Sequence, residues 1–532
     1  MMSDKLPGLS PNSEVDERHA ALRSNAAAVR TVASAVEGTL GPKGLDCMLV
    51  DRFGDVTITN DGSAILGKVD VKHPASRLVI HGARAQDEKV GDGTTTATVL
   101  AAALVEEGVA HALRGVPPTK IVEGMGAGVA AALKAMEEAA VRVEGLSDPR
   151  LFAAALIAGR GDEELARLAV EAGQLVPEGK LRDPAFRLGK RVVAKEGAES
   201  CVFNGVIVDK ERMNRQMPQE VAEAPVLVVA DALEPEKVDD EALATEAGFR
   251  RAGKLREEFE ANVRKLIGMG VKCVVVEQRV DETAEELFTE AGVMVLRRVG
   301  RRDLSEVSDH CGARPLMRAG LRRSADEIAP ALGHAARIAE DERLGHISFS
   351  GGAGQPTATI LVGAATMEVR DERARIAADA AAAVQAAATG GVLPGGGAAE
   401  IGALPAVAAV REGTAGMAAY GVDAVLAALR RPLSVIVANA GFNPLEKVEE
   451  AVTQQAATGN RRLGIDCDTG AVTDLLTAGV VDPTPVKTSA LRTALEIAEA
   501  ILRISIVIRK RDEGPSSPGQ ATTAAPGEGV DC

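Results

Sequence analysis

The apolar positions of the chain follow a helical spacing near both of its ends. This spacing recurs in the stretches 24–36, 76–86, 99–105, 119–141 and 370–389, of which 24–36 and 370–389 are rich in alanine. Apolar residues repeated every three to four positions are typical of a helix that buries one face. We therefore predict that residues 1–145 and the part of the chain after residue 370 are mostly helical.

Between these ends the apolar residues form short continuous runs. Runs at 225–230, 272–277 and 293–297 are typical of buried strands, and the segment 282–289 between the last two has a helical pattern. Strand, helix and strand at this spacing predict a parallel α/β unit. Because the helical class returns after this unit, we predict a discontinuous helical domain into which the α/β unit is inserted.

Shorter elements and two polar ends complete the pattern. The further predicted elements are strands at 47–50 and 56–59, helices at 148–158 and 163–172, and strands near Val192 and Val206. Residues 1–16 are polar, and 509–532 are rich in Gly, Pro, Ser and Thr. We expect both of these ends to be flexible, since they offer little apolar surface to bury.

A long charged insertion interrupts the α/β unit at 236–265. Its pattern is helical, with Leu243, Phe249, Leu255 and Phe259 set among many Glu, Arg and Lys residues. A helix this polar is either a solvated arm or an element that docks a partner.

Composition narrows the function classes. The chain has 532 residues, which is too long for one ordinary core and favours about three domains. A net charge of -15 argues against nucleic acid as the main partner. The six cysteines lack CxxC pairs, so zinc motifs are absent and structural disulfides are not expected. Residues 1–16 carry no apolar signal core, and we expect a cytoplasmic protein with no membrane partner.

The stretch 90–98 is the strongest candidate for chemistry. Gly91 and Gly93 frame Asp92, and three threonines, Thr94 to Thr96, open an apolar helical run. The N-terminus of a helix offers unpaired N–H groups to an anion, and a carboxylate oxygen is a ligand that magnesium prefers. The pattern therefore fits a magnesium–nucleotide site, although a helix capped by Asp or Thr explains it equally well. It is not a Walker A loop, because no Gly-Lys-Ser/Thr follows at the required spacing.

Two isolated carboxylates are weaker candidates. Asp379 lies within the alanine-rich apolar helical stretch 376–384, where a buried charge needs a partner or a function. Asp61 lies in the turn 60–62, between Asn and Gly. A structural hydrogen bond or an exposed position would account for Asp379, and turn formation would account for Asp61.

Taken together, these segments resemble the chaperonin family, specifically its group II-like branch of archaeal thermosomes and eukaryotic TRiC/CCT subunits. The resemblance runs from about residue 17 to 508 in the order of the family. The segments that carry it are 40–51 (LGPKGLDCMLVD), 57–62 (TITNDG), 91–96 (GDGTTT), 395–400 (GGGAAE), 464–470 (GIDCDTG) and 479–487 (GVVDPTPVK).

This resemblance implies the chaperonin fold, a multidomain α and α/β architecture with three domains. A mostly helical equatorial ATPase domain would comprise 1–145 and 402–532, with a disordered tail at 509–532. A small α/β intermediate domain would comprise 146–210 and 362–401. An α/β apical domain at 211–361 would bind substrate and carry a helical protrusion at about 236–265, which serves as a built-in lid.

The resemblance also implies roles for individual residues. Asp92 should hold Mg²⁺, and Asp61 and Asp379 should act on the water that attacks ATP. The residues that should contact the nucleotide are Thr39, Leu40, Gly41, Pro42, Gly93, Thr94, Thr95, Thr96, Arg160, Gly396, Asp466, Cys467 and Asp482. Phe249 would be an apolar lid tip that meets substrate or neighbouring lids, or it would pack on its own domain.

The family further implies an ATP-hydrolysing machine that folds non-native proteins. Its subunits, identical or paralogous, would form two stacked rings of eight or nine, with no separate co-chaperonin. Two features depart from thermosomes: Arg160 replaces a common lysine, and the spacing from Asp379 to the triple glycine is shorter. These features fit the group III branch found in some bacteria. A scaffold that does not hydrolyse ATP and a small-molecule kinase are the competing hypotheses.

Overall fold

The computed structural model describes residues 13–16, 18–54, 56–504 and 507–510 of the chain. The helices within them are α1 (Arg18–Glu37), α2 (Gly62–Lys68), α3 (Pro74–Val90), α4 (Thr94–Leu113), α5 (Pro118–Ala139), α6 (Pro149–Ala158), α7 (Glu163–Leu175), α8 (Glu178–Leu181), α9 (Asp240–Leu243), α10 (Glu246–Gly268), α11 (Glu282–Glu290), α12 (Arg301–Cys311), α13 (Ala325–Ile328), α14 (Met367–Gly390), α15 (Ala398–Gly402), α16 (Leu404–Gly413), α17 (Ala419–Asn439), α18 (Pro444–Thr458) and α19 (Thr484–Leu502).

The strands are mostly short and lie between the helical ends. In the described residues they are β1 (Ser13–Asp16), β2 (Cys47–Val50), β3 (Val56–Thr59), β4 (Val192–Glu196), β5 (Cys201–Val208), β6 (Glu220–Val229), β7 (Cys273–Val276), β8 (Met294–Leu296), β9 (Gly333–Asp341), β10 (His346–Gly352), β11 (Ala358–Ala364), β12 (Val392–Pro394), β13 (Leu463–Ile465), β14 (Val472–Asp474), β15 (Val481–Pro483) and β16 (Val507–Lys510).

One large sheet organises the middle of the chain. Its strand order is β4-β11-β5-β10-β9-β6-β7-β8. Strands β6, β7 and β8 run parallel, with Val226 beside Cys273 and Cys273 beside Met294, while β9 pairs with β6 and β10 in the antiparallel sense. The predicted parallel α/β unit is thus confirmed, and antiparallel strands extend it.

The buried apolar side chains form several cores. One core joins the two ends of the chain, because it contains Leu104 of α4 together with Val425 of α17 and Leu491 of α19. Alternate residues of β6 to β8 face two further cores, as expected from the alternation of side chains along a strand. Another core joins α7 with α14. These cores support a discontinuous helical domain, and the domain bounds given above remain our proposal.

Most predicted elements have counterparts, and three expectations need correction. Strands β2 and β3 have the predicted bounds and pair as an antiparallel hairpin. The charged insertion is helical mainly in α10, which begins at Glu246 and continues to Gly268, beyond the predicted end. Residues 13–16 are not a free end but pair with Val507–Lys510, which also removes residues 509 and 510 from the predicted tail. The remainder of both ends, 1–12 and 511–532, lies outside the described residues.

Helix α4 is long and apolar enough by composition to cross a membrane. Its most apolar window is 72% buried inside the fold, where α4 packs against α1, α17 and α19. The apolarity of α4 is therefore that of a central core helix.

Candidate functional site

The loop between α3 and α4 is held in a conformation that requires glycine. Gly91 ends α3 with φ 78°, and Gly93 precedes α4 with φ 81°. Both angles lie in the left-handed region that side chains with a Cβ rarely adopt. Helix α4 has no side-chain hydrogen bond at its N-cap, which is Gly93 itself. The alternative of a helix capped by Asp or Thr is therefore wrong, and the first N–H groups of α4 remain available to an anion.

The turn at Asp61 approaches this helix N-terminus closely. Asp61 caps α2, since its carboxylate accepts hydrogen bonds from the N–H groups of Ser63 and Ala64. A Cβ on Gly62 would lie 2.3 Å from Oγ1 of Thr95 and 2.9 Å from Oγ1 of Thr94. A side chain at position 62 would therefore displace the hydroxyls of the first threonines of α4.

Asp379 reaches the same region from α14. Ala382, one turn further along α14, packs tightly on the loop. A Cβ added to Gly91 would lie 2.6 Å from the Cβ of Ala382. Burial, followed by the charges of Asp92 and Asp61, raises the pKa of Asp379 well above its usual range. The structure thus brings together the three carboxylates that the sequence singled out.

Asp92 lies at the centre of this group. Burial, together with the charges of Asp482 and Asp61, raises the pKa of Asp92 to about 6, while Lys487 and the N–H of Gly93 act in the opposite direction. Lys487 therefore offsets only part of the cost of burying an ionised Asp92 beside other carboxylates.

Asp87 is a fourth carboxylate of the cluster, which sequence reasoning missed. It accepts a hydrogen bond from Oγ of Ser63 over 3.2 Å, and the N–H of Ser63 in turn binds Asp61. Burial, and to a smaller extent Asp61, raises the pKa of Asp87. Its neighbours Glu88 and Lys89 are exposed, so the local sequence resembles a solvated helix face.

Arg160 lies at the edge of the carboxylate cluster. It has φ 56°, follows Gly159 at the end of α6, and forms an ion pair with Glu372 of α14. Its positive charge lowers the pKa of Asp379 and so offsets part of the rise caused by burial and the other carboxylates. Its side chain is 25% exposed, so it is only partly buried by this pairing.

A second group of predicted residues lies where β15 pairs with β12. Asp482 is opposite Leu393 in this pairing, and a Cβ on Gly395 would lie 3.3 Å from its Oδ2. Gly396 follows with φ 61°. The buried Lys487, which sequence reasoning did not single out, forms an ion pair with Asp482 at 2.8 Å.

The first turn of α19 connects this group to the Gly91 loop. A Cβ on Gly93 would lie 2.7 Å from Cγ1 of Val486, and Nε2 of Gln86 donates to the carbonyl of Asp92 over 2.9 Å. Asp92 and Asp482 therefore border one continuous region.

The remaining nucleotide candidates form a third group, at two loops that are joined to each other. Lys43 and Asp468 form an ion pair of 2.6 Å, which links the loop of Thr39, Leu40, Gly41 and Pro42 to the loop of Asp466 and Cys467. Nδ2 of Asn439 holds the first loop by donating to the carbonyl of Leu40 over 2.9 Å. Asp466 accepts hydrogen bonds from the N–H groups of Asp468 and Thr469, which lower its pKa.

Phe249 lies apart from all of these groups, on α10 in the sheet-containing middle of the chain. The residue is 73% exposed, whereas Phe259 and Val263 of the same helix are buried. The alternative that Phe249 packs on its own domain is therefore wrong. The other alternative, an apolar residue exposed at the surface of the insertion, is the one that the structure leaves.

The residues around Asp92 fit a nucleotide that is bound together with a magnesium ion. The described residues contain no group of three or more His, Cys, Asp or Glu side chains placed to hold a metal ion by themselves. Magnesium is usually bound by one or two carboxylates together with water and phosphate oxygens, so a lone Asp92 beside uncapped N–H groups suits it. Mutual repulsion among Asp61, Asp92 and Asp379 is also the environment that a cation relieves.

Comparison with known proteins gives consistent matches over most of the chain. The model of the TCP-1/cpn60 chaperonin family matches residues 32–512. A thermosome beta subunit from Archaeoglobus fulgidus is 34% identical over 509 residues, which cover 92% of this chain and 92% of that protein. A thermosome alpha subunit from Thermoplasma acidophilum is 31% identical over 556 residues, which cover 100% of this chain and 99% of that protein.

A solved structure is similar in both fold and sequence. The crystal structure of a group III chaperonin in the open state superposes with a TM-score of 0.79 and 44% identity, covering 92% of this chain and 99% of that chain. Its identity to this chain exceeds that of the two thermosome subunits.

Proposed function

Because the chain belongs to the TCP-1/cpn60 chaperonin family and is thus an ATP-hydrolysing subunit of a double ring, we propose that it encloses non-native proteins behind a lid formed by its own insertion. The observation that carries this proposal is the packing of α14 on the Gly91 loop, which brings Asp379 to the other carboxylates. Since α14 shares a core with α7, and the helices α3 and α4 that flank the loop belong to the core of the chain ends, hydrolysis depends on how these two parts meet.

In the nucleotide site, the N–H groups of α4 and the hydroxyls of Thr94, Thr95 and Thr96 bind the phosphates. Asp92 holds Mg²⁺, which neutralises charge on the phosphates when it is bound. Asp379 accepts the proton of the attacking water, and its raised pKa suits a base. Asp61, fixed by two N–H groups, orients that water.

The other candidates surround the nucleotide. Gly93 lets the backbone approach the phosphates, and Arg160 contacts the γ-phosphate from the side of α14. Gly396 and Asp482 border the ribose and base on one side, and Asp466 and Cys467 border them on the other. Thr39, Leu40, Gly41 and Pro42 contact the phosphates from the side opposite α4.

The test of this function is the refolding of a chemically denatured monomeric enzyme. We expect the ring to capture the denatured enzyme and to release it in active form only with ATP and Mg²⁺. ADP in place of ATP, or EDTA added with ATP, should leave it captured. Equal recovery of activity with ATP, with ADP and without nucleotide would contradict the proposal.

Ring assembly is supported by the hairpin β2–β3. One of its faces packs on the core through Cys47 and Leu49. The other face is also apolar yet exposed, with Met48 at 62%, Val50 at 62%, Val56 at 50% and Ile58 at 53%. A two-stranded sheet with open edges and an uncovered apolar face is a pairing surface. We propose that a neighbouring copy of the chain covers it in the ring.

This surface can be tested by Met48→Glu/Ile58→Glu. We expect the double variant to shift the assembly toward single subunits in native mass spectrometry, because two charges then face the neighbour. Leu445→Glu is the matched control, since Leu445 is an apolar residue outside the hairpin that is 86% exposed. Unchanged ring assembly in the double variant would contradict the role of the hairpin.

The finer features of the assembly follow the same family. We propose rings of eight or nine identical or paralogous subunits, with no separate co-chaperonin because α10 supplies the lid. In this proposal, the exposed Phe249 of the lid contacts the bound non-native protein or the lids of neighbouring subunits. Cytoplasmic location, and the absence of nucleic-acid and membrane partners, belong to the proposal as well.

A further inference from the structure

A buried three-residue ion cluster lies beside the proposed ribose position. Nζ of Lys487 lies 2.9 Å from Oε1 of Glu400 and 2.8 Å from Oδ2 of Asp482. The side chains of Lys487 and Glu400 are only 7% and 2% exposed, whereas that of Asp482 is 23% exposed. The cluster thus has two buried members and one member that reaches the surface.

The geometry distinguishes the two oxygens of Asp482. Oδ2 is the atom that pairs with Lys487, and it also faces Gly395, where a Cβ would lie 3.3 Å away. Because Oδ2 is paired with Lys487, Oδ1 is the oxygen left for a ligand. A carboxylate with one fixed oxygen is a more directional acceptor than one that rotates freely.

Lys487 is itself held rigidly. It lies in the first turn of α19, next to Val486, whose side chain packs on Gly93 and whose carbonyl accepts from Gln86. Burial lowers the pKa of Lys487, but the charges of Asp482 and Glu400 outweigh it and keep the pKa above its ordinary value. Lys487 is therefore a permanent cation at a fixed point.

We propose that Lys487 is a positioning residue for ribose recognition, which orients Asp482 so that Oδ1 accepts a hydrogen bond from a ribose hydroxyl. Glu400 is the second counter-ion that keeps Lys487 buried. This inference rests on the proposed ATP site and adds the source of its selectivity for the sugar.

The test compares ATP with 2′,3′-dideoxy-ATP, which lacks both ribose hydroxyls, in binding to the assembled ring by calorimetry. A hydrogen bond to a charged acceptor predicts that the wild type binds ATP about tenfold to a hundredfold more tightly. The variant is Lys487→Met/Glu400→Gln, because removing the lysine alone would leave two carboxylates facing each other. We expect this variant to lose most of the ATP preference while its affinity for dideoxy-ATP stays within about threefold.

Two further variants separate the possible outcomes. Lys447→Met/Glu450→Gln makes the same two changes at an ion pair of equal length, 2.9 Å, on α18, where the side chains are 21% and 37% exposed, and should retain the ATP preference. Asp482→Asn should lose it. If Asp482→Asn loses the preference but the Lys487 variant retains it, or if the Lys487 variant weakens both nucleotides equally, the positioning role is refuted and the ATP site stands. If Asp482→Asn retains the preference, the ribose assignment of Asp482 fails together with the inference.

Discussion

Replacing Gly91 by alanine should separate ATP binding from ATP hydrolysis. The new Cβ would lie 2.6 Å from Cβ of Ala382, well inside the separation of about 3.5–4.0 Å at which carbon atoms pack. Neither atom can move aside by rotating a side chain, since each is fixed to its backbone. The clash is relieved most simply if α14 moves away from the loop, and that movement withdraws Asp379.

The magnitude follows from two contributions. A residue with a Cβ at φ 78° costs about 1–2 kcal/mol, and overpacking of a tight contact costs about 1–3 kcal/mol. Only the second contribution depends on Ala382. If this overpacking energy is added to the barrier of the catalytic step, we expect the rate of hydrolysis to fall by about fivefold to 150-fold beyond the effect of the backbone strain.

The assay is steady-state phosphate release measured over a double-mutant cycle. Gly91→Ala and Ala382→Gly are each compared with the double variant, in which the opposing Cβ is absent. We expect the double variant to recover most of the activity that Gly91→Ala loses through the contact, with a coupling energy of about 1–3 kcal/mol. Strictly additive effects would refute a direct dependence of hydrolysis on this contact.

Two further predictions concern charges. The pKa of Asp92 is raised to about 6 in the folded state from 3.8 in the unfolded state, so its contribution to stability is complete below about pH 4 and is lost as the pH rises through 6. Without nucleotide, the unfolding temperature of Asp92→Asn should therefore vary less between about pH 4 and 7 than that of the wild type. Equal variation of the two unfolding temperatures would contradict this. Arg191 and Glu306 form an ion pair in which the side chains are only 8% and 11% exposed, so Glu306→Gln should lower the opening free energy of α12, measured by hydrogen exchange, by about 3–5 kcal/mol. The control is Glu277→Gln, whose partner Arg301 has a side chain that is 87% exposed, and it should change this opening free energy by less than about 1 kcal/mol. Similar effects of the two variants would contradict the burial argument.

The predictable part of the fold is the part that depends on local spacing. The hairpin of Cys47–Val50 and Val56–Thr59 combines β-branched residues with a short turn, and α14 has an uninterrupted helical pattern, so both follow from nearby residues. The pairing of Ser13–Asp16 with Val507–Lys510 does not, because it joins backbone groups from opposite ends of the chain. No local pattern in the four residues Ser13–Asp16 indicates that partner.

The site divides in the same way. Asp92 was identifiable because its glycines and threonines are adjacent in sequence. Asp61 and Asp379 were weaker candidates on local grounds, and the family resemblance supplied their roles. Lys487 was not identifiable, because its role depends on Glu400, which is 87 positions away and meets it only when β12 and β15 pair. Buried ion pairs between distant segments leave no periodic signal.

The most direct test of the whole account is magnesium-dependent phosphate release by intact rings of the wild type, Asp379→Asn and Asp371→Asn. Asp371 is the matched control, since it lies on the same helix with a side chain that is 55% exposed. We expect Asp379→Asn to assemble and to bind ATP normally, but to hydrolyse it about 100-fold to 10,000-fold more slowly, as removal of a general base predicts. Asp371→Asn should hydrolyse ATP at the wild-type rate. Equal hydrolysis by the wild type and Asp379→Asn would contradict the assignment of Asp379, and absence of hydrolysis in the wild type would contradict the chaperone cycle proposed here.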